Sequence, residues 1–213
     1  MKETIILLVI ISILGYLLGS VNGAIVISRL VYKDDVRKYG SKNAGMTNML
    51  RVYGKKAAIY TILVDFTKGM LAVIMARLAF AGQTLAFDPA YISAIFTIIG
   101  HIFPIYFKFK GGKGILAALG VITVLNPLVM LFMLLTFIPL CFVTKIVSLS
   151  SILGAFFYPI VTCLLKLYMG EPYLIDTILA SVIAVMIIFM HRENIKRLLN
   201  GTERKFGEKK QDN

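Results

Sequence analysis

The sequence has few of the residues that form metal centres and disulfide frameworks. Its 213 residues include two histidines, two cysteines and 11 acidic residues. Cys141 and Cys163 lie in apolar runs far from either histidine, which is typical of small buried hydrophobes and disfavours a disulfide or a thiolate metal site. His101 and His191 are far apart, and no carboxylates cluster at ligand spacing, so we expect no metal and no cofactor.

Charge is also absent from long stretches of the chain, and this excludes an ordinary soluble domain. Hydrophobic residues make up 58% of the sequence, far outside the usual balance of soluble proteins. The predicted membrane segments are 4–30, 57–81, 87–107, 114–125, 128–144, 146–168 and 173–190. A spanning helix needs about 20 residues, so we predict a half-length helix at 114–125, separated from the next segment by Asn126-Pro127. The expected fold class is an all-α integral membrane protein with about seven transmembrane helices.

The first apolar segment resembles a secretory signal in its position but is interpreted as a span. A single cation, Lys2, precedes it, and it stays apolar well beyond the length of a signal's hydrophobic region. Small residues recur along it at helical spacing, which predicts a helix-packing face: Gly15, Gly19, Ser20 and Gly23. Because no soluble domain, linker or internal repeat is evident, residues 1–213 are expected to form a single membrane domain.

Cations are concentrated in alternate loops, and this predicts the orientation of the spans. The net charge of +12 would suit nucleic acid, but the cations lie in short gaps between apolar segments, which indicates membrane topology instead. Three regions carry them, 33–56, 108–113 and 192–210, whereas 82–86, 126–127 and 169–172 contain no lysine or arginine. With an odd number of spans, the N-terminus is then outside and the C-terminus cytoplasmic. All the polar motifs fall on the cytoplasmic side, where we expect one shared site.

A polar segment with several glycines lies between the first two apolar segments. It combines short side-chain donors, glycines and cations: Gly40, Ser41, Lys42, Asn43, Gly45, Thr47, Asn48 and Arg51. Exposed backbone N–H groups, small polar side chains and an arginine fork are the groups that bind a phosphate. We therefore predict that this segment is a phosphate-binding loop.

A second glycine-rich segment, Phe109 to Gly114, follows Gly100-His101-Ile102-Phe103-Pro104. It lacks the spacing of a Walker A loop, but glycines before a helix free N–H groups for an anion at the positive end of the helix dipole. The candidate phosphate ligands are Gly111, Gly112, Lys113 and Gly114. The alternative is a topogenic loop with flexible glycines, and the first motif, on the same predicted side, favours the anion site.

Ionisable residues also occur inside and at the end of apolar segments. Asp65 and Lys68 are three residues apart and can pair on one helix face. They either contact substrate or form a structural ion pair that positions the neighbouring loop. His191 and Asn194 share a helix face at the end of the last segment, with Glu203 beyond them. A histidine at a helix exit is often a solvated interfacial residue, and here the other motifs favour a place in the site.

Three blocks of residues, in order, resemble the bacterial acyl-phosphate:glycerol-3-phosphate acyltransferases, the PlsY family, over nearly the whole chain. The first block matches at Gly19-Ser20, Gly40-Ser41, Asn43, Gly45, Thr47-Asn48, Arg51, Asp65 and Lys68-Gly69. The second matches at Gly100 to Pro104 and Phe109 to Gly114, and the third at His191 to Leu198 and Gly201 to Glu203. The chain departs from the family pattern at Asn22, Lys42, Met46 and Ala117, where the family usually has Pro, Gly, Ala and Thr.

The resemblance implies acyl transfer from acyl phosphate to the 1-hydroxyl of sn-glycerol 3-phosphate, the first step of phospholipid synthesis. It implies a site on the cytoplasmic face of a bacterial plasma membrane, with no CoA, acyl carrier protein or nucleic acid as partner. It also implies catalytic roles for Ser41, Arg51, Lys113, His191 and Asn194, a phosphate-binding role for Lys68, and supporting roles for Asp65, His101 and Glu203.

Several alternatives stay open from the residues. The base for the acceptor hydroxyl is His191, held by Asn194, or His101, or an oxygen of a substrate phosphate. No Cys–His or Ser–His–Asp arrangement is evident, and Ser41 is favoured as a phosphate ligand over a nucleophile. Lys42 adds a cation and removes a backbone freedom beside the loop, which motivates a diverged paralogue with an altered acceptor. A transporter of phosphate or organophosphate would also combine glycines, cations and broken helices, with polar residues near the midplane.

Overall fold

The computed structural model describes residues 2–206, and every regular element in that range is helical. The chain divides into two compact units, one ending at Pro127 and the other beginning at Leu128. The first contains α1 (Lys2–Ser20), α2 (Gly23–Val31), α3 (Met46–Tyr53), α4 (Lys55–Ala79), α5 (Ala90–Ile102) and α6 (Ile115–Leu125), with 3₁₀ turns at Val36–Lys38 and Ile105–Phe107. Beyond it are α7 (Pro127–Thr144, which begins at the boundary), α8 (Val147–Tyr168), α9 (Leu174–Met190) and α10 (Arg192–Leu199).

Within residues 2–206, five helices are long and apolar enough to cross a bilayer: α1, α4, α5 with its extension to Phe107, α7 and α8. The pair α9 and α10, bent by 59°, is a sixth candidate if it is counted as one span. The helix predicted to be half-length is α6, whose 11 residues cover about 17 Å at 1.5 Å per residue. The all-helical membrane fold is confirmed, while the number of crossings and the orientation of the termini stay predictions.

The first predicted segment, 4–30, is two helices and not one continuous span. Asn22 lies at the break and caps α2, because its Oδ1 accepts a hydrogen bond from the Ile25 amide at 3.1 Å. An N-cap residue has non-helical backbone angles, here φ −86° and ψ 113°, so the preceding helix stops before it. Asn22 is one of the departures from the family pattern, and it performs a capping function that proline cannot perform through a side chain.

The predicted packing face of small residues is confirmed in the first unit. Gly15 and Gly19 lie against α5, where a Cβ on Gly19 would overlap the backbone of Thr97. Gly23 lies against α4, and a Cβ there would come within 3.0 Å of Val64. Small residues thus bring the broken first segment close to α4 and α5, where backbone and side-chain polar groups meet.

Arg77 closes the C-terminal end of the half-length helix α6. Its guanidinium donates to the carbonyls of Val124 and Leu125 at 2.6 and 2.8 Å, and it pairs with Asp88 at 2.7 Å. Asp88 in turn accepts a hydrogen bond from the Ala90 amide at the start of α5. A cation at a helix C-terminus and a carboxylate at a helix N-terminus both match the helix dipoles. The carbonyls of Val124 and Leu125 at the end of α6 therefore have a protein partner and do not depend on water.

Candidate active site

The first loop is built around the buried side chain of Asn48. Its Oδ1 accepts from the Ser41 amide at 3.0 Å, and its Nδ2 lies 3.1 Å from the carbonyls of Val36, Tyr39 and Asn43. The side-chain amide has two hydrogens for these three acceptors, so none is left for a phosphate. Asn48, predicted as a phosphate ligand, therefore organises the loop in this structure. Gly40, at φ +58°, has no room for a Cβ because Asn48 Oδ1 occupies that space.

The short side-chain donors of the first loop take no part in this internal network. Within residues 2–206, the side chains of Ser41, Asn43 and Thr47 have no hydrogen-bond partner in the protein. Thr47 and Arg51 are four residues apart on α3, so they lie on one face of that helix. Ser41 and Arg51 are exposed. The loop therefore combines an interior held by hydrogen bonds with the side chains of Ser41, Asn43 and Thr47, which make none to the described protein residues.

Lys42 has a left-handed backbone, with φ +58°. A left-handed conformation costs a residue with a Cβ about 1–2 kcal/mol, whereas glycine adopts it readily. The sequence comparison with the family pattern places glycine at this position, and the structure shows why glycine suits it. The lysine keeps the same backbone turn, since its amide donates to the Tyr39 carbonyl at 2.9 Å, and it adds a cation next to Ser41.

The glycines of the second loop serve close packing and do not offer their amides to a ligand. The Gly111 amide donates to the Ile102 carbonyl at 3.0 Å, and the Gly112 amide donates to the His101 carbonyl at 3.1 Å. The expectation that these two N–H groups face an anion is therefore wrong. A Cβ on Gly111 would overlap the His101 carbonyl, and one on Gly112 would overlap the His101 ring. Both glycines allow the loop to lie directly on the end of α5.

Gly114 and Lys113 stand where the second loop enters α6. Gly114 has φ +87°, a left-handed backbone that favours glycine, and it precedes the first residue of α6. Lys113 is half-buried and lies at the positive end of this helix dipole. Its position is compatible with the predicted anion site at a helix N-terminus.

Arg37 holds the second loop to the 3₁₀ turn before the first loop, and sequence reasoning did not single it out. Its Nη1 donates to the carbonyls of Phe107 and Lys110 at 3.0 and 2.7 Å. Its other nitrogens bind Asp35, which also pairs with Arg29 at 2.9 Å. The Arg37 guanidinium, helped by Arg29, holds the pKa of Asp35 well below its usual range. The sequence signal that could have indicated this role is the acidic pair Asp34-Asp35, which stands close to Arg37 in a loop that is otherwise rich in cations.

A buried ionic cluster connects α4 to α5 and to the break between α1 and α2. Lys68 is 3% exposed, and its ammonium lies 2.7 Å from Asp65 Oδ1 and 2.9 Å from His101 Nδ1. It also donates to the carbonyls of Gly19 and Val21 at 2.9 and 2.8 Å. Lys68, predicted as a phosphate ligand, thus has four protein partners in this structure. The predicted pairing of Asp65 with Lys68 is confirmed.

The third block forms a separate network in the second unit, centred on Glu203. Its carboxylate accepts from Ser148 Oγ at 2.7 Å, Asn194 Nδ2 at 2.6 Å and Arg197 Nε at 2.6 Å. Burial alone would raise the pKa of Glu203, but these three hydrogen bonds outweigh it and lower the pKa. Glu203 therefore fixes the side chain of Asn194 and ties α10 to the start of α8.

His191 lies at the bend between α9 and α10 and is 3% exposed. Its Nδ1 is 2.8 Å from the Ile187 carbonyl. A carbonyl can only accept, so this contact assigns the proton to Nδ1 and leaves Nε2 as the acceptor nitrogen of the neutral ring. His191 thus has the tautomer that a general base or an acceptor of a substrate hydroxyl requires.

The fold and the first loop define a multi-span membrane protein with an organised loop of polar donors and a cluster of cations. The chain belongs to the glycerol-3-phosphate acyltransferase family, whose model matches residues 9–201. The glycerol-3-phosphate acyltransferase of Finegoldia magna is 39% identical over 94% of this chain and 96% of its own length. That of Clostridioides difficile is 38% identical over 95% of this chain and 97% of its own length.

Solved structures agree with the sequence relatives. The crystal structure of PlsY, an integral membrane glycerol 3-phosphate acyltransferase, in its glycerol 3-phosphate form superposes with a TM-score of 0.83 at 36% identity. That match covers 94% of this chain and 96% of that one. The lysophosphatidic acid form of the same enzyme gives a TM-score of 0.80 at 35% identity, covering 94% and 95% of the two chains. The predictions of the family, of a membrane acyltransferase and of a helical fold are confirmed.

Proposed function

We propose that this protein transfers an acyl group from acyl phosphate to the 1-hydroxyl of sn-glycerol 3-phosphate. The bond between the acyl carbon and the bridging phosphate oxygen breaks, and an ester bond forms between that carbon and the 1-hydroxyl oxygen. The hydroxyl proton passes to a base and is released with inorganic phosphate. The products are 1-acyl-sn-glycerol 3-phosphate and phosphate. Membership of the family supports the acceptor, and the resemblance of the three sequence blocks supports the donor.

The observation that carries this proposal is the first loop. Asn48 holds its backbone from within, and this leaves the side chains of Ser41, Asn43 and Thr47 without protein partners in the described residues. Prearranged donors of this kind bind phosphate oxygens without a further ordering cost. Arg51, on the Thr47 face of α3, supplies a guanidinium fork of the geometry that phosphate prefers.

The reaction also requires that the repulsion between its two anionic substrates be offset. Both substrates are anions, so two like charges must come together before the hydroxyl reaches the acyl carbon. Arg51, Lys42 and Lys113 can offset that repulsion at the first loop and at the start of α6. Acyl phosphate is already an activated anhydride with a good leaving group, so positioning and charge stabilisation suffice without a covalent intermediate.

The proton acceptor in this proposal is His191 or an oxygen of a substrate phosphate. The His191 tautomer, with Nε2 as the acceptor, supports the first choice. Turnover of His191→Ala separates them: a fall of about 10²–10⁴-fold in kcat fits a general base, whereas near-normal kcat at saturating substrate leaves the phosphate oxygen.

The proposal places the site at the cytoplasmic face of a bacterial plasma membrane. The first and second loops carry cations, as cytoplasmic loops do. The spanning helices expose large apolar side chains, among them Leu63, Leu135 and Leu164, which suit contact with lipid. A lipid-borne acyl chain and a soluble polyol phosphate would meet where such helices reach the aqueous phase.

The test uses purified wild-type protein in nanodiscs with palmitoyl phosphate and glycerol 3-phosphate. We expect phosphate release coupled to lysophosphatidate, with loss of both when glycerol replaces glycerol 3-phosphate. Arg51→Gln should lower kcat/KM by about tenfold or more, as expected for a charged hydrogen bond to substrate. Phosphate release without lysophosphatidate, together with an acylated product from another polyol acceptor added to the assay, would favour a paralogue with an altered acceptor. No consumption of palmitoyl phosphate under any acceptor, combined with uptake of phosphate into vesicles, would favour the transporter.

A further inference from the structure

The broken first segment leaves polar backbone groups inside an apolar region, and one ionic pair satisfies both sides of the break. Lys68 donates to the Gly19 and Val21 carbonyls at the end of α1. Asp65 accepts from the Gly23 amide, the first of α2, at 3.0 Å. The cation therefore lies at a helix C-terminus and the anion at a helix N-terminus, as the helix dipoles favour.

The hydrogen bonds of Lys68 define its charge. Its nitrogen lies 2.7 to 2.9 Å from three oxygen atoms, those of Asp65, Gly19 and Val21. Three acceptors of this kind require the three hydrogens of an ammonium group, because a neutral amine has two. Lys68 is therefore the charged partner of Asp65.

The imidazole ring of His101 packs against this ion pair. Its Nδ1 lies 2.9 Å from the Lys68 nitrogen and 3.5 Å from Asp65 Oδ1. The three oxygens already account for the three hydrogens of the ammonium group, so Nδ1 lies inside the cluster beside both charges. The side chain is 3% exposed, and this burial within the ion pair favours a positioning role for His101 over the role of the base.

The other edge of His101 lies where the two loops meet. A Cβ on Gly112 would overlap His101 Nε2 and would come within 2.5 Å of the Ala44 carbonyl, which belongs to the first loop. Asn22 Nδ2 also approaches the Ala44 carbonyl, at 3.4 Å. The His101 backbone carbonyl accepts from the Gly112 amide. The cluster on α4 is thereby connected through one imidazole ring to both candidate phosphate loops.

We propose that Asp65, Lys68 and His101 form a positioning unit that holds the first and second loops at a fixed separation, with His101 as a positioning residue and not as the base. The inference rests on the proposed function, because it assigns the purpose of the unit to the phosphates bound by these loops. It removes His101 from the three candidates for the proton acceptor. It also explains why an ion pair is kept inside an apolar helix, where burial of charge is expensive.

The test compares two substitutions of His101 in the nanodisc assay. In His101→Asn, a polar side-chain atom replaces Nδ1 beside Lys68 and Asp65, so the positioning unit is preserved and kcat should stay within about threefold of wild type. The dependence of kcat on pH should also be unchanged. His101→Leu keeps the approximate volume of the side chain and removes the polar atom beside the ion pair. It should raise the KM for glycerol 3-phosphate or palmitoyl phosphate by about tenfold or more, with a smaller fall in kcat.

A matched ion pair in the second unit provides the control. Asp176 is 2% exposed and lies 2.7 Å from Lys166, so it resembles Asp65 in burial and pairing. Asp65→Asn should raise KM for the phosphate substrates, whereas Asp176→Asn should leave KM unchanged even if stability falls. Equal KM values for these two variants would overturn the proposal, even if His101→Leu could not be purified.

The outcomes separate this inference from the proposed function. An inactive wild type rejects the proposed function itself. An active wild type with a loss of about 100-fold or more in kcat for His101→Asn, or with a lost limb of its pH profile, rejects the positioning role and restores His101 as a base. Active wild type with active His101→Asn and a raised KM for His101→Leu supports the proposal.

Discussion

The side-chain oxygen of Asn48 accepts a hydrogen bond from the Ser41 amide at 3.0 Å, and this contact separates two roles within one loop. Asn48 is 1% exposed and supports the backbone. Ser41 is exposed and offers its hydroxyl outward. Two polar residues of one loop thus differ in their surroundings, and we expect Asn48 to support the fold and Ser41 to contact substrate.

Substitution of Asn48 should mainly lower stability, whereas substitution of Ser41 should mainly lower activity. Asn48→Ala leaves three loop carbonyls and one amide without their partner, so we expect a loss of about 2–4 kcal/mol in unfolding free energy. Ser41→Ala should change stability by less than about 0.5 kcal/mol while lowering kcat/KM for acyl transfer. Thermal unfolding followed by circular dichroism, together with the phosphate-release assay, measures both. A stability loss for Ser41→Ala as large as that for Asn48→Ala would contradict this division.

Substitution of Gly112 tests the close packing of the second loop against His101 and the first loop. Gly112→Ala places a methyl group against the His101 ring and the Ala44 carbonyl, and overpacking of this kind costs about 1–3 kcal/mol. We expect lower thermal stability and at least a tenfold loss of activity, since the loop must move away from α5. Gly154→Ala is the control, because nothing lies within 4 Å of a Cβ at that position in α8. It should raise stability by about 0.5–1 kcal/mol through helix propensity, and normal activity of Gly112→Ala would refute the packing argument.

Substitution of Lys42 by glycine, compared with the same substitution of Lys33, separates the effect of backbone strain on stability from the effect of charge on substrate binding. Lys42→Gly removes a left-handed lysine and its cation, and Lys33→Gly removes a lysine of the same conformation, at φ +55°, that is not adjacent to Ser41. The relief of strain and the greater freedom of the unfolded chain nearly cancel, so both variants should stay within about 1 kcal/mol of wild type. The KM for glycerol 3-phosphate should rise about two- to fivefold in Lys42→Gly, because one exposed charge contributes about 0.2–1 kcal/mol. The same KM change in Lys33→Gly would show that charge near Ser41 is irrelevant.

The hydrogen bonds of Glu203 predict that the protein loses stability as the pH falls into the acid range. Its pKa is lowered in the folded protein, so the unfolded chain binds a proton more readily, and the native contacts lose stability as pH falls below the unfolded value of about 4.3. Above that pH the stabilisation is complete. Thermal midpoints of wild type and Glu203→Gln should therefore differ at pH 7 and converge toward pH 3.5. The control is Glu193→Gln, whose side chain is 60% exposed and 3.5 Å from Lys196; a pH dependence in wild type that Glu193→Gln removes would contradict the assignment.

Local sequence was sufficient for features whose cause is local. The spacing of Gly15, Gly19 and Gly23 predicted a packing face, and the structure confirms it. Asn126-Pro127 predicted the end of a short helix, and α6 ends at Leu125 with α7 beginning at Pro127. Proline and glycine act through their own backbone geometry, so these signals survive without knowledge of the neighbours.

Features set by distant partners were not accessible in the same way. The break at Asn22 lies inside an apolar run, and it is stabilised by Lys68 and Asp65, which are more than 40 positions away. The amides of Gly111 and Gly112 were expected to face a ligand, but the end of α5 accepts them. The sequence does not distinguish a glycine that allows close packing from one that exposes its amide. The difference depends on the packing partner, which only the structure identifies.

The central claim is that acyl phosphate and glycerol 3-phosphate are consumed together at this protein. A single ³¹P NMR time course of wild-type protein in nanodiscs with both substrates follows every phosphorus atom in the reaction. We expect the palmitoyl phosphate signal to fall while inorganic phosphate and 1-acyl-glycerol 3-phosphate rise in a one-to-one ratio. Phosphate that appears without a change in the glycerol 3-phosphate signal would contradict acyl transfer to this acceptor, and an unchanged spectrum would contradict the enzyme.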